Sequence, residues 1–80
     1  MSPESWGNMA EFRFLGYLAE IYGKKNVEIS LGNPRRLRDI LVVEFPEDRS
    51  IILINQRVGN FDSVIRNGDR VVIMPMISGG

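Results

Sequence analysis

The stretch NGDRVVIMP, residues 67–75, joins a turn directly to a strand and says most about the fold. Asparagine and glycine at its start adopt the positive φ of tight turns at little cost. Over residues 70–74 the apolar side chains alternate between two faces, which is the period of a β-strand. We expect this last strand to end at Met74, because Pro75 has no N–H to donate to a sheet and releases the chain.

Three segments upstream also have the composition of strands. Apolar and polar residues alternate over residues 9–15 and again over residues 27–31, so these two segments are expected to pair. Residues 50–55 form a short and almost wholly apolar run, which is typical of a strand buried on both faces or nearly so. The sequence therefore predicts a sheet of about four to five strands.

Two segments between the strands have helical spacing. Residues 17–22 lie between two glycines and predict a short helix of about two turns. The main helix is expected in NPRRLRDILVVEFP, residues 33–46, where Asn33 can cap it, Pro34 fits its first position and Pro46 would end it. The side chains expected to lie against the sheet from this helix are Leu37, Ile40, Leu41 and Phe45.

The segment before the last strand contains turn residues, at Asn60 and again at residues 67–69. Between and beside them, four apolar residues are expected to fill the core from a loop or a single helical turn, namely Val58, Phe61, Val64 and Ile65. The element order predicts an α+β domain with a mixed sheet, one main helix packed across it and a short extra helix after the first strand. The two ends of the chain are expected on interior strands.

The composition excludes several classes of function. The 80 residues allow one domain, and ten acidic and ten basic residues cancel, so neither nucleic acid nor an anionic membrane is an expected partner. The absence of cysteine and histidine excludes disulfides and thiol nucleophiles and leaves no expected metal site. No apolar run approaches the roughly 20 residues that span a bilayer, so a cytoplasmic protein is expected.

The two ends of the sequence differ in composition from the rest. Residues 1–8, MSPESWGN, are polar and rich in turn residues and are expected to form a flexible extension before a domain at residues 9–76. Residues 77–80 are expected to form a flexible tail that ends in Gly79 and Gly80, which cannot contribute to a core. The pair is either a frayed end or cloning remnant, or a thin arm that presents its carboxylate to a narrow slot in another protein.

The second explanation has a chemical basis. A terminal carboxylate is ionised at neutral pH and resists nucleophilic attack until it carries a better leaving group. Adenylation with ATP supplies that group, after which sulfide or an amine can take the acyl group. Because the activating enzyme must exclude water around the acyl phosphate, the last residues should be small. In this interpretation the protein is the substrate.

Two motifs, ILINQRV at residues 52–58 and NGDRVVIMPMISGG at residues 67–80, resemble the closing half of the ubiquitin-like sulfur carriers of the MoaD/ThiS family. An Asn-containing strand, a Gly-Asp turn, a strand, a proline and a terminal Gly-Gly recur there in this order. The segment EFRFLGYLAEIYG, residues 11–23, also resembles the opening strand and first helix of the molybdopterin synthase small subunit. The resemblance covers residues 10–80 and implies a ubiquitin-like β-grasp fold.

The resemblance also implies a function. Gly80 would be adenylated by an activating enzyme, converted to a thiocarboxylate and inserted into the large subunit of molybdopterin synthase to donate sulfur. The chain would not be an enzyme alone and would bind no cofactor, since ATP and Mg²⁺ belong to the activating partner. Gly79 would be the thin neighbour of the reactive residue. The arm implied to dock on partners consists of Met74, Pro75, Met76, Ile77 and Ser78.

This sequence departs from the family pattern on that arm. Members often carry an aromatic residue where Met74 stands and a second proline where Met76 stands. Methionine is adaptable enough to fill an irregular pocket in a partner. Met74 is explained equally well as a residue that fills the core.

Other functions stay open at this point. The same arm would also serve a ubiquitin-like modifier, with Gly80 conjugated to lysines. The thiazole-forming carrier of thiamine synthesis is a further alternative. The separate helix at residues 17–22 favours the molybdopterin member over the thiazole-forming one. A β-grasp interaction module with incidental glycines is the last alternative.

Charged clusters elsewhere have ordinary explanations. Three arginines at the start of the predicted main helix indicate a solvated face or a contact with an acidic partner, and the same holds for Arg13 and Arg57. Two pairs of carboxylates, Glu47 with Asp48 and Asp62 with Asp69, lack the histidine or orienting partner that catalysis would need. The three arginines are Arg35, Arg36 and Arg38.

Overall fold

The structure is a computed structural model, and it describes residues 9–76. Its elements in chain order are β1 (Ala10–Phe14), α1 (Tyr17–Tyr22), β2 (Asn26–Ile29), β3 (Arg35–Arg36), α2 (Leu37–Ile40), a 3₁₀ turn (Glu47–Arg49), β4 (Ser50–Ile54), β5 (Arg57–Gly59), β6 (Val64–Ile65) and β7 (Arg70–Pro75). Five of the strands form one mixed sheet in the order β2-β1-β7-β4-β5, and β3 and β6 form a two-stranded pair. The expected α+β class is confirmed.

The first and last strands of the domain lie side by side at the centre of the sheet. β1 and β7 run parallel, with Phe12 opposite Val71 and Phe14 opposite Ile73. β2 pairs antiparallel with β1, and β4 pairs antiparallel with β7. The prediction that the chain ends on interior strands is therefore confirmed.

One face of the sheet carries the hydrophobic core. Alternation along β1 buries Phe12 and Phe14 on this inner face, and the same period along β7 buries Val71 and Ile73. Residues from α1, α2 and the loops cover it. The buried set is Ala10, Phe12, Phe14, Leu18, Leu31, Leu37, Leu41, Phe45, Ile52, Phe61, Ile65, Val71 and Ile73.

A row of stacked aromatic rings joins the sheet to the segments above it. Phe14 of β1 stacks on Tyr22 of α1 at 4.2 Å between ring centroids and on Phe45 at 5.7 Å. Phe45 continues the row to Phe61 at 6.3 Å. These spacings are those of favourable aromatic pairs, so the row holds α1 and two loops on a single strand.

The prediction of a main helix at residues 33–46 is wrong. The helix α2 has only 4 residues, and Arg36 before it and Leu41 after it have extended backbones. The arginines of β3 pair with Val64–Ile65 instead of joining a helix. Beyond Leu41, two β-branched valines and the position before Pro46 all disfavour helix, so one turn remains.

The side chains expected to face the sheet from that helix are nevertheless in place. Leu37, Leu41 and Phe45 are buried, and Ile40 packs against the core in part. The loop 59–63 replaces the missing helical bonds, because its carbonyls at Phe61 and Ser63 accept the N–H groups of Arg38 and Leu37. The core positions were therefore predicted correctly although the backbone that carries them was not.

Three smaller predictions also need correction. β4 buries only one face, with Ile52 in the core and its other face half-exposed, because nothing among residues 9–76 covers that side. Val58 and Val64 do not fill the core: they are 81% and 51% exposed and lie on strands β5 and β6. Of the same set, Phe61 and Ile65 are buried as predicted.

The turn between β4 and β5 was not predicted. Asn55 and Gln56 both have positive φ, at 53° and 72°, as in the two-residue hairpin loops that match the twist of a sheet. The predicted turn at residues 67–69 is confirmed, with Gly68 at φ 96°. Asn55 ties the two turns together, since its side chain donates to Asp69 Oδ1 and accepts from the Arg70 N–H, each at 3.0 Å.

No helix of the described chain is long and apolar enough to cross a membrane.

Candidate functional site

The candidate site begins where the last strand leaves the sheet, at Pro75 and Met76. We call these two residues the tail root. β7 extends through Pro75, which lies opposite Ser50, and the Met76 N–H then donates to the carbonyl of Arg49 at 2.7 Å. The prediction that Pro75 releases the chain is therefore wrong, because the strand pairing continues one residue beyond it. Met76 is 52% exposed and is the last described residue.

The other side of the tail root is formed by the loop between β1 and α1. The Leu15 N–H donates to the carbonyl of Ile73 at 3.0 Å, which continues the parallel pairing to the end of β1. The next residue, Gly16, lies against the ring of Pro75. The tail root thus passes between Gly16 on one side and the Arg49–Ser50 backbone on the other.

The predicted site residues fall on both sides of this point. Gly80, Gly79, Ser78 and Ile77 lie outside the described residues. Met74, Pro75 and Met76 are described, and Met74 lies within β7 as part of the sheet. Met74 is half-buried and is not a core residue, so the explanation that it fills the core is wrong.

Met74 belongs to an apolar patch on the outer face of the sheet. The strand register places Met74 next to Ile51, and Val72 next to Leu53, which in turn lies opposite Val58. All five side chains are half-buried or exposed. We call them the outer patch. It leads directly to the tail root, and no element within residues 9–76 covers it.

Charged residues border the outer patch on the β1 side. Arg70 forms an ion pair with Glu11 across the parallel strands, at 3.3 Å between Nε and Oε1. Arg13, which lies opposite Val72, donates from Nε to Asn26 Oδ1 at 3.2 Å. A shallow groove of about 650 Å³ is lined by these charged residues, by the turn between β4 and β5, and by Leu53 and Val72 of the outer patch.

Two of the three arginines at the predicted main helix, Arg36 and Arg38, form ion pairs with carboxylates of the same chain. Arg38 donates from Nε to Asp62 at 2.7 Å and binds both carboxylate oxygens of Glu47, at 3.0 and 3.2 Å. Its hydrogen bond lowers the pKa of the Asp62 carboxyl below its ordinary value, and the two carboxylates raise the pKa of Arg38. Arg36 pairs with Asp39 at 3.4 Å. This surface is therefore a network of intramolecular ion pairs.

Three of the four carboxylates considered for catalysis have structural roles in the same way. Asp62 and Glu47 hold Arg38, while Asp69 accepts from Asn55 and from the Arg66 N–H. Over residues 9–76, no three acidic side chains come together in a group that could hold a metal ion. The described residues thus point to the tail root and the outer patch as the functional surface.

Two parts of this site have no signal in the sequence. Gly16 was interpreted only as the entry to α1, and Arg49 was not singled out because it acts through its backbone carbonyl. The outer patch had a usable signal. The residues that alternate with the core set in β4 and β7 are mostly apolar, more often than a solvated face requires.

The ThiS family model matches residues 12–80, which is most of the sequence. The chain belongs to the ThiS family. No curated protein is a significant match to the sequence. The suspected kinship with ubiquitin-like sulfur carriers is therefore confirmed at the level of the family.

Several solved structures superpose on this chain and show its fold. SAMP1 from Haloferax volcanii superposes with a TM-score of 0.69 at 20% identity, covering 90% of this chain and 99% of that one. A putative molybdopterin converting factor, subunit 1, from Pyrococcus furiosus gives 0.65 at 20% identity and covers 86% and 98%. The small archaeal modifier protein 1 from Methanosarcina acetivorans gives 0.63 at 16% identity and covers 90% and 96%. This ThiS-family chain thus has the ubiquitin-like β-grasp fold.

Proposed function

We propose that this ThiS-family chain is a sulfur carrier whose reactive group is the carboxylate of Gly80. The observation that carries the proposal is the tail root. The last strand occupies the centre of the sheet and is held to its end by the Met76–Arg49 hydrogen bond at 2.7 Å. The rigid domain therefore presents residues 77–80 from a fixed point, as a substrate for other enzymes.

The chemistry takes place in two steps on a partner enzyme. A carboxylate oxygen of Gly80 attacks the α-phosphorus of ATP, which forms an acyl adenylate and releases pyrophosphate. A sulfide equivalent, HS⁻, then attacks the acyl carbon, the bond to AMP breaks, and a thiocarboxylate remains after loss of one proton. ATP and Mg²⁺ belong to the activating partner. The chain itself supplies the thin glycines and the surface by which the partner holds it.

The outer patch is the surface that we assign to this partner. Met74 faces outward immediately before the tail root, so an enzyme that receives residues 77–80 also meets Met74 and its neighbours. The patch is apolar at its centre and carries Arg13 at its edge. A partner surface with an apolar centre and acidic residues opposite Arg13 would be complementary to it.

We place the carrier in the synthesis of molybdenum or tungsten cofactor, as the small subunit of molybdopterin synthase. The helix α1 between the first two strands supports this member of the family over the thiazole-forming carrier of thiamine synthesis. One solved structure with the same fold is named as a molybdopterin converting factor subunit. In this role the thiocarboxylate of Gly80 enters the large subunit and gives its sulfur to the pterin precursor.

The test is mass spectrometry of the intact chain after incubation with an adenylating enzyme from the same cell, ATP, Mg²⁺ and a sulfide donor. The expected product has one oxygen replaced by sulfur at Gly80. A chain that lacks Gly80 but keeps the folded domain is the control and should stay unmodified. An unmodified wild-type chain, in a reaction where the enzyme is active on another carrier, would refute the proposal.

A second candidate function is conjugation to proteins, and the solved SAMP1 modifiers of the same fold favour it. Here a lysine amine of a target replaces sulfide and takes the acyl group from the same adenylate. Digested cell protein would then contain lysines that bear Gly-Gly. Deletion of Gly79 and Gly80 separates both functions from a plain interaction module, which would keep its partner after the deletion.

A further inference from the structure

Gly16 has a backbone conformation and a position that no other residue type would fit. Its φ is +60° and its ψ is −143°, a region that side chains with a Cβ avoid. A Cβ at this position would lie 3.0 Å from Cγ and 3.5 Å from Cδ of Pro75. The first distance is tighter than ordinary van der Waals contact, so the ring or the loop would have to shift by a few tenths of an ångström.

The tail root has no free space on its other side. Pro75 lies opposite Ser50 in the register of β4 and β7, and the Met76 N–H donates to Arg49 at 2.7 Å. A Pro75 ring pushed away from Gly16 would therefore move toward β4 and distort this last hydrogen bond. The tail root is therefore confined on both sides. Gly16 has no Cβ and so leaves room for the Pro75 ring, and the Arg49 carbonyl accepts from the Met76 N–H on the other side.

We propose that Gly16 is a positioning residue for the reactive terminus, because the space it leaves for Pro75 sets the line along which residues 77–80 leave the domain. The inference rests on the proposed function. It assigns to the β1–α1 loop a role in delivering the tail, in addition to starting a helix.

The reason that a small displacement matters is the short length of the tail. Four residues beyond Met76 span at most about 13–14 Å when fully extended, so a tail that must reach into an enclosed site has little slack. The outer patch and the tail root belong to one rigid sheet, so a partner bound to the patch fixes the distance that the tail has to cover. Misplacement of reacting atoms by about 1 Å can cost about a hundredfold in rate.

The experiment compares Gly16→Ala with Gly23→Ala in the full chain. Gly23 also has a positive φ, +97°, but a Cβ there meets nothing within 4 Å. Both substitutions place alanine at a positive φ and should lower stability, more at Gly16, whose ψ of −143° lies outside the αL region that Gly23 occupies, whereas only Gly16→Ala contacts the tail root. Gly23→Ala is thus the control for alanine at a positive φ.

The first measurement is hydrogen exchange at the Met76 amide. We expect its protection to fall at least about tenfold in Gly16→Ala and to stay at the wild-type value in Gly23→Ala. Adding Pro75→Ala to Gly16→Ala removes the ring that clashes and should restore part of the protection. Equal protection at Met76 in both single variants would overturn the inference.

The second measurement is pyrophosphate release during adenylation of the chain. We expect kcat to fall about tenfold in Gly16→Ala with KM unchanged, because the outer patch still binds while the terminus is misdirected. A wild-type kcat in Gly16→Ala, or an equal fall in Gly23→Ala, would also overturn the inference. If the wild-type chain is not adenylated at all, the proposed function fails, and the exchange measurement still decides whether Gly16 positions the tail root.

Discussion

The hairpin between β4 and β5 predicts that one substitution has opposite effects at two adjacent residues. Asn55 and Gln56 both have left-handed backbones. Glutamine pays about 1–2 kcal/mol for this conformation, whereas asparagine adopts it more readily. Glycine adopts it freely but gains freedom in the unfolded chain worth about 0.5–1 kcal/mol. We therefore expect Gln56→Gly to raise the free energy of unfolding by about 0.5–1 kcal/mol.

The same substitution at Asn55 should destabilise the protein. Asn55→Gly relieves little strain and removes two side-chain hydrogen bonds of 3.0 Å, one to Asp69 and one from the Arg70 N–H. Each is worth about 0.5–1.5 kcal/mol, so the expected loss is about 1–3 kcal/mol.

Urea denaturation measures both free energies, and thermal unfolding gives a second readout. A gain of about 1 kcal/mol raises Tm by roughly 4–8 °C in a domain of this size. Effects of the same sign at the two positions would show that backbone strain and side-chain hydrogen bonds are not divided between them as described.

Three further predictions concern the outer patch, the ion pair and the core. Val58→Asp should raise the KM of the activating enzyme for this chain at least about tenfold. The control Val42→Asp, at a residue that is 91% exposed and lies outside the patch, should leave this KM unchanged. Equal KM values for the two variants would exclude the patch as the partner surface. Arg38 lowers the pKa of the Asp62 carboxyl in the folded state. The pair therefore stabilises the protein above the unfolded pKa of about 4, and this stabilisation is lost as pH falls through the lower folded pKa. Urea titrations of Asp62→Asn should accordingly show less acid destabilisation than the wild type between about pH 5 and pH 2. Phe14→Ala should lower the free energy of unfolding by about 3–5 kcal/mol, since Phe14 is 1% exposed and stacks on two rings; a loss below about 1 kcal/mol would contradict the central place of the aromatic row.

The strands at the centre of the sheet could be predicted because local pattern and tertiary burial agree there. Residues 10–14 alternate strictly between apolar and charged, residues 70–74 are apolar after Arg70, and the structure buries alternate residues of both strands on the same face. The family motif at residues 67–80 added the order of these elements. The fold class therefore followed from segments whose period was unambiguous.

The main helix could not be predicted correctly because its apolar spacing has two structural solutions. Leu37 and Leu41 are four residues apart, which places them on one face of a single helical turn, and an extended chain then carries Phe45 back to the same core. The competing interaction is long-range: β3 pairs with Val64–Ile65, which no local pattern near residue 35 reveals. Tertiary pairing overrode local propensity at this point.

The chemistry proposed for the candidate site comes from the sequence, whereas the geometry of the tail root comes from the structure. The glycines at the end of the sequence indicated an activated carboxylate, since small residues and a free acid are what adenylation needs. The constraints on the tail root come instead from Gly16 and from the carbonyl of Arg49, which are far from it in sequence and carry no functional side chain. Neither the absence of a Cβ at Gly16 nor the backbone carbonyl of Arg49 can be recognised from residue composition as part of the site. Under the proposed function, the sequence indicates which end of the chain reacts, whereas the direction in which the last strand leaves the sheet has to be measured from the structure.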